Sequence, residues 1–105
     1  MQFIDFAYND AGLLPCIVQD YKTKEVLMMA YMDKEALERT FAKGQLVFWS
    51  RSRKEYWHKG KTSGNFLIMK EMRYDCDRDT LLALVEPTGP VCHTGSSTCF
   101  FRRLD

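Results

Sequence analysis

The sequence predicts one α+β domain, mostly antiparallel β-sheet with a single clear helix. Three observations predict it. The chain has 105 residues, enough for one hydrophobic core and not two. Short apolar runs alternate with turn-forming residues along most of its length, which is the pattern of strands. Only one stretch, Lys34–Lys43, joins helix-forming residues to both a start and a stop signal. No internal repeat, low-complexity tract or linker divides the chain, so residues 1–105 read as one domain.

Residues 13–20 form the first predicted strand, with Pro15 near its start, which places it at a sheet edge. Residues 21–24 are polar and turn-like, and residues 25–32 are a second apolar run, so the pair predicts a hairpin. Asp33 is the expected N-cap of the helix. Leu37 and Phe41, four residues apart, are expected to share its buried face. Gly44 is the stop, because glycine takes the left-handed conformation without steric cost. Residues 45–50 return to a strand pattern. Residues 51–65 are rich in Gly, Ser, Thr, Arg and Lys and read as a loop, with Tyr56 and Trp57 inside it. Residues 65–74 and 80–86 read as strands joined by a tight connection around Arg78. Residues 87–90 make a turn, and residues 91–99 a loop. So many strands in so short a chain leave edges to cover, and a dimer is one common way to cover them.

Composition excludes several function classes. The formal net charge is +1, without the basic excess of a general nucleic-acid binder. No apolar run approaches the ~20 residues of a membrane span. Residues 1–10 carry Asp5 and Asp10 and lack a basic start before an apolar stretch, so they do not read as a signal peptide. The expected compartment is the cytoplasm. There the four cysteines, Cys16, Cys76, Cys92 and Cys99, are better suited to metal or catalysis than to disulfides.

The strongest chemical signal is Asp75-Cys76-Asp77-Arg78-Asp79, followed by Cys92-His93-Thr94-Gly95 and Cys99. Thiols suit zinc, and clustered carboxylates suit magnesium or calcium. If residues 75–77 are extended, Asp75 and Asp77 face one way and Cys76 the other, toward a second site. Cys92 and Cys99 are seven residues apart, about 10.5 Å of rise on a helix, too far to share one ion. The loop-like residues between them can curl both sulfurs together. Three cysteine ligands leave the fourth position of zinc to water, which is the catalytic pattern. Asp75, Asp77, Asp79 and Glu86 fall at EF-hand positions, but Thr80 stands where glycine is needed and the flanks are strands, so an EF-hand is rejected. Against the metal reading, aspartates near a turn are commonly just solvated, and cysteines can be small buried hydrophobes. Cys16, inside an apolar strand, is assigned to the core.

A second signal is cationic. Ser50-Arg51-Ser52-Arg53 and His58-Lys59-Gly60-Lys61-Thr62-Ser63-Gly64 form two clusters of cations, hydroxyls and glycines flanked by Trp49 and Trp57. Arginine matches phosphate with paired donors, and Gly-rich turns offer backbone N–H groups to anions. Gly60-Lys61-Thr62 is not a P-loop: Glu55 stands where its first glycine should be, and a strand follows rather than a helix. A charge run of this kind is commonly a solvated surface. Two such clusters beside aromatic side chains nevertheless fit a ligand with more than one phosphate.

These stretches together resemble the phosphoribosyl-AMP cyclohydrolases. The resemblance is carried by Leu13-Leu14-Pro15-Cys16-Ile17-Val18-Gln19-Asp20, Val26-Leu27-Met28-Met29-Ala30-Tyr31-Met32, Phe48-Trp49-Ser50-Arg51-Ser52-Arg53, Trp57-His58-Lys59-Gly60-Lys61-Thr62-Ser63-Gly64-Asn65, Asp75-Cys76-Asp77-Arg78-Asp79, and Cys92-His93-Thr94-Gly95 through Cys99. They span nearly the whole chain, and their combination is specific although each piece alone is not. Cys16 and Lys61 depart from the usual pattern without touching the metal residues. The chain is too short for the pyrophosphohydrolase domain to which many members are fused, so a monofunctional form is expected.

The resemblance implies hydrolytic opening of the adenine ring of phosphoribosyl-AMP, a step of histidine biosynthesis. It implies an intertwined homodimer, with Cys76, Cys92 and Cys99 sharing zinc across the subunits and Asp75, Asp77 and Asp79 holding magnesium. Substrate-binding candidates are Trp49, Ser50, Arg51, Ser52, Arg53, Trp57, Lys59, Gly60, Lys61, Thr62 and Ser63, with Trp49 or Trp57 stacking on the base. The leaving nitrogen needs a proton, so His93 and then His58 are the acid/base candidates. A nucleoside deaminase is disfavoured because its His-x-Glu and Pro-Cys-x-x-Cys signatures are absent. A structural zinc module, closed by His93 as fourth ligand, is the other alternative.

Overall fold

The computed structural model describes residues 4–105; residues 1–3 of the N-terminal stretch lie outside the described residues. Six strands and one helix follow in the order β1 (Leu14–Asp20), β2 (Val26–Met32), α1 (Lys34–Lys43), β3 (Val47–Ser50), β4 (Glu55–His58), β5 (Leu67–Tyr74) and β6 (Leu81–Pro87). They form one sheet in the order β4-β3-β2-β1-β6-β5. Every ladder is antiparallel except β1 with β6, which is parallel. The α+β expectation with mostly antiparallel sheet therefore holds, with a mixed centre.

The β1–β2 hairpin forms as expected, with Asp20 Oδ1 accepting from the N–H groups of Lys22 and Thr23. Its edge placement was wrong. β1 lies between β2 and β6, near the middle of the sheet. Pro15 is tolerated because it stands near the strand's start, one residue before the β6 ladder begins at Cys16 and Leu81. Cys16, Val18, Ala83 and Val85 are wholly buried here.

The helix matches its cap signals. Asp33 accepts from Ala36 N at 2.7 Å, and Gly44 takes φ 71° and donates to Thr40 O. Leu37 is buried, but Phe41 is 38% exposed, which corrects the expected pair. The inward stripe is Ala36, Leu37 and Thr40 instead. Thr40 can be buried because its hydroxyl donates to Ala36 O and accepts from Val47 N. Phe41 falls at the margin, beside Phe6 and Tyr8.

β4 was not foreseen. Residues 55–58 carry Tyr56 and Trp57 amid polar neighbours, and only pairing with β3 makes them a strand. It is an edge strand, short and begun by Glu55. The other edge, β5, carries Lys70, Glu71 and Arg73 and a register shift between Met69 and Glu71. Charge and irregular register both discourage edge-to-edge pairing. Gln45 forms only an isolated bridge to Ile68, so β3 starts two residues later than expected.

One sheet face and α1 enclose the core of Leu14, Leu27, Met32, Phe48, Leu67 and Leu81, with Val91 closing it from the C-terminal loop. On β1 and β2, Ile17 and Met29 face each other in register and both remain exposed.

Candidate active site

The acidic motif is a turn, not an extended strand. Asp75 N donates to Thr80 O, Arg78 N to Asp75 O and Asp79 N to Asp75 Oδ1. Arg78 sits at φ 60°, so the chain reverses there. The expected alternation of Asp75 and Asp77 against Cys76 is thus corrected. The reversal nonetheless brings one carboxylate oxygen each from Asp75, Asp77 and Asp79 within 4.8 Å of one another. All three are exposed. The carboxyls of Asp75 and Asp79 are shifted in opposite directions. Hydrogen bonding to Asp75, then desolvation, raises Asp79. Desolvation also pushes Asp75 upward, but hydrogen bonds from Asp79, Thr80 and Arg78 outweigh it and lower its pKa.

Cys76 is exposed on this turn and joins no cluster of three candidate ligands among the described residues. Cys92 and Cys99 do meet: each lies close enough to shift the other's pKa. The loop that curls them together is held at both ends. Cys92 N donates to Ser96 O, Cys99 N to Leu27 O, and the Thr98 hydroxyl to Val26 O at 2.8 Å. The Thr94 hydroxyl donates to Cys92 Sγ at 3.2 Å and is the largest influence lowering the Cys92 pKa. Burial and the neighbouring Cys92 raise Cys99. The two thiols are thus shifted in opposite directions, Cys92 down and Cys99 up.

The same loop forms one wall of a cleft of about 830 Å³. Cys92 and His93 stand on that wall. Opposite are Arg53, Trp57, His58, Lys59, Gly60, Lys61, Thr62 and Ser63. Lys59 ties the walls together, its ammonium donating to Val91 O at 2.6 Å. Gly60 is required by shape: at φ 96° a Cβ would lie 2.6 Å from the Phe66 backbone. His58 is half-buried, its Nε2 2.7 Å from Gln45 Oε1. Burial first, then Lys43 and Lys61, hold its pKa below the usual histidine value.

A second cleft, of about 640 Å³, adjoins the first and shares Arg53 and Trp57 with it. It is lined by Trp49, Ser50, Arg51 and Ser52, together with Met29 and Tyr31 from β2. All eleven substrate-binding candidates thus lie on one cleft or the other. A family model described as phosphoribosyl-AMP cyclohydrolase matches residues 28–101, which include every candidate ligand and both histidines. The chain belongs to the phosphoribosyl-AMP cyclohydrolase family. It is 62% identical over 98 residues to the phosphoribosyl-AMP cyclohydrolase of Pelotomaculum thermopropionicum, covering 93% of this chain and 76% of the relative. It is 53% identical to that of Archaeoglobus fulgidus, covering 97% of this chain and 94% of the relative. The histidine biosynthesis bifunctional protein HisIE of Bacillus subtilis is 56% identical over 91% of this chain, which spans 46% of that protein's length.

The sequence reading missed Tyr31, Gln45 and Tyr56. Tyr31 sits in an apolar run that reads as plain core; its register opposite Trp49 turns it toward the second cleft. Tyr56 lies opposite Trp49 on the other side and donates to the N-cap Asp33 at 2.6 Å. Burial and that hydrogen bond push its pKa up to about 12.

Proposed function

We propose that this protein hydrolyses the N1–C6 bond of the adenine ring in 1-(5-phosphoribosyl)-AMP, giving the phosphoribosyl-formimino aminoimidazole carboxamide ribotide of histidine biosynthesis, in a zinc-dependent reaction. The observation that carries this reading is the first cleft, which Cys92 and His93 line together with a basic loop and Trp57. A biosynthetic step of this kind fits the cytoplasm. Among the described residues no helix is long and apolar enough to cross a membrane.

The donor chemistry suits both metals. Cys92 and Cys99 offer adjacent sulfurs for a borderline ion such as zinc, and Asp75, Asp77 and Asp79 offer three oxygens for magnesium. We assign Cys76 to the zinc ligands of a second copy, because within one chain it stands apart from the other two. A homodimer also has a surface to use, the exposed facing pair Ile17 and Met29. Zinc held there would supply an acidified water for attack near neutral pH.

The chain's own residues do the rest. Trp57 stacks against the base, and the donors of both clefts take the phosphates. The ribosyl group on N1 makes C6 electrophilic. As the water oxygen adds at C6 and the C6–N1 bond breaks, the electron pair leaves on N1, which must be protonated. His93, exposed on the cysteine wall, takes up the proton that the attacking water gives up and delivers it to N1. His58, kept neutral by its surroundings, is the second site for a proton in the same cleft.

An ultraviolet assay with phosphoribosyl-AMP tests this directly, because ring opening changes the adenine chromophore. Turnover that disappears on chelation and returns with zinc is expected. A folded, zinc-loaded protein with no turnover would instead establish a structural zinc module.

A further inference from the structure

Two adjoining clefts raise the question of which end of the substrate enters which. The answer follows from the chemistry of adenine once the cyclohydrolase reading is accepted, and the inference rests on that reading. C6 and N1 are neighbours on the six-membered ring, whereas N9 lies on the five-membered ring at the far edge. Cys92 and His93 belong to the first cleft alone. A ring whose C6–N1 edge faces them directs the N1-linked phosphoribosyl group into that cleft. Its N9 edge then points across Trp57 and Arg53, the two residues common to both clefts, into the second.

The cations support two phosphate seats rather than one. Arg53 is already compensated by Glu55, at 3.6 Å, and Lys59 is occupied with Val91 O. Among the described residues, Arg51 and Lys61 are ion-paired with no carboxylate. Each stands in a different cleft, Arg51 in the second and Lys61 in the first. The Arg51 guanidinium sits over the Tyr31 ring, its Cζ 4.0 Å from the centroid. A cation–π contact of this kind holds the guanidinium in place over the ring and leaves N–H donors for a phosphate. Ser50 and Ser52 bring their hydroxyls to within 3.5 Å of each other beside it.

We infer that the second cleft, built from Arg51 held over Tyr31 with Ser50 and Ser52, is the seat of the 5′-phosphate of the AMP half, and that Lys61 serves the N1-linked phosphoribosyl half in the first. Tyr31 is a positioning residue for Arg51.

AMP alone is the probe, since it carries one phosphate and no N1 substituent. Its affinity for the dimeric, zinc-loaded protein is measured by calorimetry with wild type, Arg51→Ala, Arg51→Lys and Lys61→Ala. Both side chains are exposed, so the fold is expected to persist, and unfolding midpoints check it. Arg51→Ala should weaken AMP about tenfold or more, Arg51→Lys less, and Lys61→Ala less than about twofold. For phosphoribosyl-AMP, both alanine variants should raise KM. Equal losses of AMP binding, a larger loss in Lys61→Ala, or wild type that does not bind AMP would overturn the assignment while wild-type turnover keeps the cyclohydrolase reading. Absence of wild-type turnover would overturn that reading itself, and this inference with it.

Discussion

The acidic turn and the cysteine loop are the two donor-rich regions of the molecule, and they are finished to different degrees. The turn is complete within one chain: backbone hydrogen bonds and the left-handed Arg78 bring three carboxylates together. The loop brings together only two sulfurs, and the third cysteine lies on the other region. A sheet edge can settle an acidic cluster locally, because a tight turn fixes side chains only a few residues apart. The thiol centre joins residues far apart in sequence and, in our reading, needs a second copy.

The largest effect should come from separating the two halves of the thiol centre. Cys76→Ser and Cys99→Ser should each lower turnover by a factor on the order of 10³ or more, because zinc chemistry supplies several kcal/mol. Mixing the two variants and allowing subunits to exchange should restore about a quarter of wild-type activity. Half of the dimers are then mixed, and one of their two sites is intact. No recovery would place all ligands in one chain and break the contrast. The acidic turn gives the control. Mixing Asp75→Asn with Asp77→Asn should restore no magnesium response, since both carboxylates come from the same chain.

Next in size is His93→Ala, expected to slow turnover about 10²–10⁴-fold while zinc content holds. Equal loss of zinc and activity would make His93 a ligand instead. Smaller still is Gly60→Ala, which places a methyl group against the Phe66 backbone at a positive φ. It should cost about 1–3 kcal/mol in unfolding experiments. Through the neighbouring Lys59 tie to Val91 it should loosen zinc at the loop and leave the acidic turn's magnesium response unchanged.

What the sequence made legible follows the same division. Local signals were readable: Asp33 and Gly44 bounded the helix at the observed residues, and the hairpin turn at 21–24 formed where the polar run stood. Non-local pairing was not. Pro15 argued for an edge because the parallel partner of β1 is more than sixty residues away in sequence. Phe41 matched the apolar period, yet Thr40 took the inward place once β3 supplied its hydroxyl with partners. Tyr56 and Trp57 looked like loop residues until β3 paired with them. For the site, motif residues were visible one by one. The division into two clefts, and the part of Tyr31 in the second, depend on cross-strand register that no single stretch of sequence carries.

The smallest effect distinguishes the two regions by their response to acid. At the turn, Asp75 is lowered and Asp79 raised, so their contributions to the pH dependence of stability oppose each other. On the cysteine side His58 acts without such an opposite. Its folded pKa lies below the ordinary value of about 6.5, owing to burial and then to Lys43 and Lys61. Between the folded and unfolded values the unfolded chain binds the extra proton, so stability rises with pH there. The contribution is fully present above about 6.5 and is lost as pH falls through the folded value. His58→Gln keeps a partner for Gln45 but cannot titrate. Denaturant midpoints at pH about 7.5 and 5.5 should therefore fall more for wild type than for the variant, by a fraction of a kcal/mol. Equal falls would mean that the cysteine-side cleft does not hold His58 neutral.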